Sequence, residues 1–171
     1  LVLPLPFSLV EFKFEELFYL QMELLQRKQI SFQKSKGFVF ESLQQYFPRF
    51  YEEQLPFELT NAQKRVVKEI RADVKTGKHM NRLLQGDVGS GKTIVALISS
   101  LNVISSKFQV ALMAPTEILA RQHYSLAKKL FPKNIKIELL SSKSENSEKK
   151  RIIKNLENNK IQMVFGTHAI F

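Results

Sequence analysis

Apolar residues recur every three or four positions between residues 11 and 30, where Phe14, Leu17, Phe18, Met22 and Leu25 share one face and Leu20 and Leu24 widen it. That period predicts an amphipathic helix of about five turns. Gln33 to Gly37 interrupt the pattern, and Phe40, Leu43 and Phe47 predict a shorter helix over Phe38 to Phe47, closed by Pro48. With Leu5, Phe7 and Phe12 these side chains read as core or inter-domain packing, since two helices alone cannot bury so much apolar surface. After an extended Leu55-Pro56-Phe57, residues from Thr60 to Thr76 repeat the helical period with Val66, Val67, Ile70 and Val74 inward. Thr60 and Gln63 form a T-x-x-Q capping box at its start, and Gly77 closes it.

Beyond Gly77 the pattern changes to short apolar runs alternating with helical stretches. Arg82 to Gln85, with Leu83 and Leu84, predicts a short buried strand, and Thr93 to Ser105, with Ile94, Ala96, Leu97, Leu101 and Ile104, a helix packed on its sheet. Phe108 to Met113 predicts a buried strand, Glu117 to Phe131 a helix, and Ile135 to Leu140 another strand. Ser141 to Ser147 is polar. Glu148 to Asn158 predicts a basic helix with Ile152, Ile153 and Leu156 inward, and Ile161 to Phe165 a last strand ending at Gly166-Thr167-His168. Strand and helix alternating with short connections predict an α/β fold, a parallel sheet with right-handed crossovers. Ligands of such sheets lie beyond the carboxyl ends of the strands. Gly86 to Thr93, Pro115 to Glu117, Ser141 to Lys143 and Gly166 to His168 all follow predicted strands, so all four are expected on that edge.

The first of these segments reads Gly86-Asp87-Val88-Gly89-Ser90-Gly91-Lys92-Thr93 and fits the phosphate-loop pattern G-x-x-x-x-G-K-[ST]. Gly86, Gly89 and Gly91 let the backbone turn through positive φ and bring its amides against an anion. Lys92 supplies a point charge for the β- and γ-phosphates, Thr93 a Mg²⁺ ligand, and the helix that begins there its positive dipole end. The competing interpretation is a glycine-rich turn with a surface lysine. The order strand, loop, helix favours ATP and Mg²⁺.

Composition narrows the setting. The chain has 171 residues, 44% of them hydrophobic, enough for one full core. It has no cysteine, which excludes disulfides and thiolate metal sites, and its three histidines, His79, His123 and His168, stand at no ligand spacing. Leu1 to Val10 has two prolines and no basic flank, unlike a signal peptide, and no run reaches the ~18 apolar residues of a membrane span. The expectation is a cytoplasmic protein with no membrane partner. The net charge is +10, and residues 1 to 55 hold 6 basic and 7 acidic side chains, leaving 20 and 9 of the 26 and 16 to the remainder. The excess belongs with the phosphate loop, which suits a polyanionic partner, although a solvated lysine-rich surface would look the same.

Four blocks carry a family resemblance: LPFELTNAQ at Leu55 to Gln63, MNRLLQGDVGSGKT at Met80 to Thr93, VALMAPTEILARQH at Val110 to His123 and VFGTHAIF at Val164 to Phe171. Together they resemble the first motor domain of the superfamily 2 helicases, and more closely the RecG-type helicases of branched DNA. FEELFYLQ at Phe14 to Gln21 is similar to the helical linker before that motor. The resemblance implies a helical linker over residues 1 to 54 and, over 55 to 171, the N-terminal part of a RecA-like P-loop NTPase domain with helices on both faces of its sheet. It further implies a bacterial, cytoplasmic, monomeric, ATP-dependent helicase remodelling forks or junctions in recombination and repair. Gln63 would read adenine and Phe57 pack on it, Gly86 to Thr93 would hold phosphates and Mg²⁺, and Pro115, Thr116, Gly166, Thr167 and His168 would touch DNA. From spacing alone Gln63 is a helix cap, and the competing interpretation of the two threonines is that they cap helices or turns after their strands.

The chain departs from the family pattern in two places. The family commonly has a glycine in the loop that reads Leu140-Ser141-Ser142-Lys143 here, so no phosphate contact is assigned to it. Superfamily 2 motors also use a D-E-x-H or D-E-x-Q segment and arginine fingers from a second motor domain. The only aspartates are Asp73 and Asp87, neither at the end of an apolar strand. The chain therefore reads as a piece of a longer enzyme, inactive by itself. A transcription-repair coupling translocase and a non-catalytic docking module with a vestigial loop are the alternatives.

Overall fold

The computed structural model describes residues 7–34, 36–40, 46, 50–141 and 144–168. Its elements are α1 (Phe7–Lys34), a π-helical turn (Phe50–Gln54), α2 (Asn61–Asp73), α3 (Lys92–Ser105), β1 (Val110–Met113), α4 (Glu117–Leu130), β2 (Ile137–Leu140), α5 (Asn146–Glu157) and β3 (Met163–Gly166). The three strands form one parallel sheet in the order β1-β3-β2.

That order explains why helices cover both faces. The chain crosses from β1 past one strand position to β2, then returns to fill the middle with β3. A crossover that keeps its hand must change face when it changes direction. Accordingly Met163 and Phe165 join the core built by α2, α3 and α4, while Val164 between them joins Ile152 of α5, Leu140 and Ile161 on the other face. β3 is buried along its whole length. Gln109 and Gln162 fasten the amino ends of the strands: the Gln109 amide donates to the Leu156 and Ile161 carbonyls, and the Lys136 N–H donates to Gln162 Oε1.

Four expectations need correction. Arg82 to Gln85 is not a strand, and Leu83 is 84% exposed. A strand needs a neighbour for its N–H and C=O groups, and among the described residues this segment has none; Arg82 ties it instead to Asp73 and Glu69 of α2. β1 is a half-exposed edge rather than a buried strand, with Ala111 and Met113 open to solvent, because its only described neighbour is β3. Ile153 points outward at 48% exposure; Ile152 and Leu156 fill the α5 contact without it. Phe38 to Phe40 is extended rather than helical, since the Gly37 and Phe40 N–H groups donate to Gly77 and Val74 carbonyls at 2.8 and 3.0 Å and the Phe38 and Phe40 rings pack on Phe108. Residues 41–45 and 47–49 of that predicted helix lie outside the described residues. The side chains of Phe14, Leu17, Phe18, Tyr19, Leu24 and Leu25 of α1 are all exposed, so among the described residues they are not packed in a core as expected, while the side chains of Leu5, Phe7 and Phe12 lie outside the described residues.

Candidate nucleotide site and the strand-end edge

The phosphate loop leads into α3. Gly89 and Gly91 have φ of 82° and 80°, a left-handed turn that only glycine takes without strain. A side chain at Gly89 would meet nothing within 4 Å, so the loop is open on that side, and Val88 at its tip is fully exposed. The threonine hydroxyls of Thr60 and Thr116 cap α2 and α4, but the N-cap of α3 is Gly91 and no side chain caps its first turn. First-turn amides without a capping side chain are what an anion binds.

The Lys92 ammonium donates to the Gly86 and Asp87 carbonyls, each at 2.7 Å. These two bonds fold the lysine over its own loop and hold the charge beside the glycine turn. The Ser90 N–H donates to the Asp87 carbonyl at 3.2 Å and tightens the turn further. Thr93 follows on the first turn of α3, half-buried. Amides, one ammonium and one hydroxyl at a helix start fit a triphosphate with its cation.

Gln63 has three contacts here. Its Oε1 accepts from the Thr60 N–H at 2.9 Å while the Thr60 hydroxyl accepts from the Gln63 N–H at 3.2 Å, so the predicted capping box is present. Its Nε2 donates to the Ser90 carbonyl at 2.9 Å, 27 positions away along the chain. A Cβ on Gly91 would stand 2.3 Å from that nitrogen, so a side chain there would push the Gln63 amide off the Ser90 carbonyl, and the φ of 80° favours glycine in any case. The capping residue of α2 is thus also a strut for the phosphate loop, which spacing could not reveal. Phe57, half-exposed, precedes the cap by three residues.

The carboxyl ends of the strands lie in register, Met113 and Leu140 both opposite Gly166. The Ala114 N–H donates to the Gly166 carbonyl at 2.8 Å and joins the segments after β1 and β3. Pro115 and Thr116 are therefore neighbours of Gly166 and Thr167, as expected, with Pro115, Thr116 and His168 exposed, Thr167 half-buried and Gly166 buried. Thr116 caps α4, accepting from the Leu119 N–H at 3.3 Å. Its hydroxyl proton remains for another acceptor.

Arg82 was not foreseen. It donates from Nε to Asp73 and from Nη1 to Glu69 at 2.8 Å, fixing the segment that enters the loop to the far side of α2. The guanidinium holds the Asp73 carboxyl below its ordinary range, and the pair raises the Arg82 value. No group of three or more His, Cys, Asp or Glu side chains that could hold a metal ion occurs among the described residues.

A family model described as DEAD/DEAH box helicase matches residues 60–171. The chain belongs to the DEAD/DEAH box helicase family. Within that family it is similar to the ATP-dependent DNA helicase RecG of Streptococcus pneumoniae, 42% identical over 163 residues, which span 95% of this chain and 24% of that protein. The RecG of Aquifex aeolicus is 45% identical over 158 residues, spanning 92% and 20% respectively. A solved structure of RecG bound to a three-way DNA junction superposes with a TM-score of 0.82 at 44% identity, covering 91% of this chain and 21% of the other. The chain thus spans about a fifth to a quarter of the length of these helicases. The truncated RecA-like α/β fold, the P-loop and the helicase relationship all agree with these matches. No helix among the described residues is long and apolar enough to cross a membrane.

Proposed function

We propose that this chain is the nucleotide-binding part of an ATP-dependent DNA helicase that remodels branched DNA, forks or junctions, in the bacterial cytoplasm as a monomer. The observation that carries it is the phosphate loop with Lys92 held over it and an uncapped α3 behind it, in a chain similar along most of its length to RecG helicases. In this reading residues 1–54 are a linker and residues 55–171 the start of the first motor domain.

ATP bound there supplies the phosphoanhydride whose hydrolysis drives movement. The chain's own residues hold and neutralise it. Amides of Gly86 to Lys92, with Asp87, Val88 and Ser90 in the loop, would hold the phosphates, Lys92 would neutralise them, and Thr93 would offer a hydroxyl to Mg²⁺. Gln63 and Phe57 stand on the adenine side, and engaging the base would draw the Gln63 amide away from the Ser90 carbonyl. Pro115, Thr116, Gly166, Thr167 and His168 present N–H and hydroxyl donors to successive phosphates of one strand, contacts that position DNA without reading sequence.

The test uses the full-length helicase. Lys92→Ala should abolish DNA-dependent ATPase and fork unwinding and leave junction binding within about threefold, since the lysine faces phosphate rather than DNA. Unwinding at the parental rate would refute the assignment.

A further inference from the structure

Between α2 and α3 lies a cavity of about 190 Å³, walled by Val67 and Ile70 of α2, Val74 at its end, and Ile98 and Val103 of α3. Asn102 also lines it, at 3% exposure, and its Oδ1 is buried with no hydrogen-bond partner among the described residues. Buried polar atoms are nearly always paired, because leaving one alone forfeits its hydration for nothing in return. The other polar side chains of the lining do not relieve it. The Ser99 and Ser100 hydroxyls donate to the Val95 and Ala96 carbonyls of their own helix, each at 2.8 Å, and Arg71 makes no bond to it. The cavity is separate from the phosphate loop: Asn102 follows Lys92 by ten residues, a rise of about 15 Å along α3.

We propose that this cavity binds a small, uncharged single-ring aromatic carrying one hydrogen-bond donor, a phenol in the simplest case, with Asn102 Oδ1 as the acceptor. The inference is independent of the helicase reading above. Size sets the ring: a cavity of about 150 Å³ lined by apolar side chains holds one benzene. The aliphatic walls set its charge, since an ionised group would lose its hydration against them. The orphan oxygen sets the substituent, because it can only accept and a ring hydroxyl can donate. The source is a free molecule, since the volume takes one ring and no peptide backbone with it.

The experiment titrates phenol and toluene into the 171-residue chain with isotope-labelled Val and Ile methyls, followed by NMR, and repeats both titrations with Asn102→Leu. Phenol should shift the Val67, Ile98 and Val103 methyl signals saturably, with a Kd about fivefold below that of toluene, the margin one hydrogen bond supplies. In Asn102→Leu that preference should vanish, while toluene binds within about twofold of its wild-type affinity. The variant should melt no lower than wild type, because leucine keeps the branched outline and removes an unpaired amide. A melting temperature lower by more than about 3 °C would show that the amide is already satisfied, and would overturn the proposal. Equal affinity of wild type for phenol and toluene, no saturable shift, or shifts confined to methyls elsewhere would overturn it too. The full-length helicase separates a free ligand from a side chain of another segment: it should bind phenol within about threefold of the 171-residue chain, and failure to bind would show that the parent protein fills the cavity itself, which rejects the free ligand.

Discussion

Gln63 shows what a single side chain can be asked to do. Its oxygen completes the cap of α2 and its nitrogen holds the Ser90 carbonyl, so removing it has two separable effects. Gln63→Glu keeps a capping-box residue at the third helical position but loses the donor to Ser90. It should unfold within about 2 °C of wild type and bind a fluorescent ATP analogue at least tenfold more weakly. Gln63→Ala loses the cap as well, which costs about 1 kcal/mol and about 2–4 °C for a chain of this size. Paired melting curves and nucleotide titrations check both, and a Glu variant with unimpaired binding would remove Gln63 from the site. Gly91→Ala should be worse than either, because its Cβ strikes the Gln63 amide nitrogen and its φ is 80°.

Two connections between elements have testable consequences. Thr116 begins α4 by accepting from the Leu119 N–H, so the structure supports the capping role that spacing allowed. Thr116→Val should lower stability by about 1 kcal/mol, and Thr116→Ser should restore it. If the hydroxyl also donates to DNA phosphate, the Val variant loses DNA stimulation of the full-length ATPase beyond what Thr167→Val alone removes, and the Ser variant regains it; a stimulation ratio equal to wild type would leave Thr116 as a cap only. The second connection is Arg82 between Glu69 and Asp73. Asp73 has a folded value below its unfolded one, so its contribution is complete above the unfolded value, about 3.9, and is lost as pH falls through the lower folded value. Between pH 5 and pH 2 the melting temperature of wild type should therefore fall more than that of Arg82→Met. Parallel acid limbs would show that the pair, more than a third exposed, adds nothing measurable.

Across the whole molecule, what was legible depended on whether its cause was local. The phosphate loop, the capping box and the alternation of strand and helix follow from glycine, cap and hydrophobic periodicity within a few residues of each other, and all are present. Ile161 to Phe165 could be read as a strand from its apolar run, and β3 proves to be buried throughout because it has a neighbour on each side. Arg82 to Gln85 misled because a short apolar run says nothing about whether a neighbour exists to pair with it. The same blindness covered the strut from Gln63 to Ser90 and the Arg82 clamp, since both join residues through space. Charge bears on activity too. Asp73 is bound to Arg82 and Asp87 lies in the loop, which leaves this chain without an aspartate placed to orient water. The 171-residue chain should accordingly bind ATP and turn it over far below 1 s⁻¹, with or without DNA, by coupled phosphate-release assay. Loss of an arginine finger alone costs about 10³ to 10⁵.

The central claim is that Gly86 to Thr93 is a working phosphate cradle whose charge comes from Lys92. Titration of a fluorescent ATP analogue with Mg²⁺ into wild type and Lys92→Ala tests it most directly, because the lysine bonds the Gly86 and Asp87 carbonyls of its own loop and its loss should leave the fold intact. Saturable binding by wild type, weakened at least tenfold in Lys92→Ala at an unchanged melting temperature, is the predicted result. Equal binding by the two proteins, or none by wild type, would contradict it.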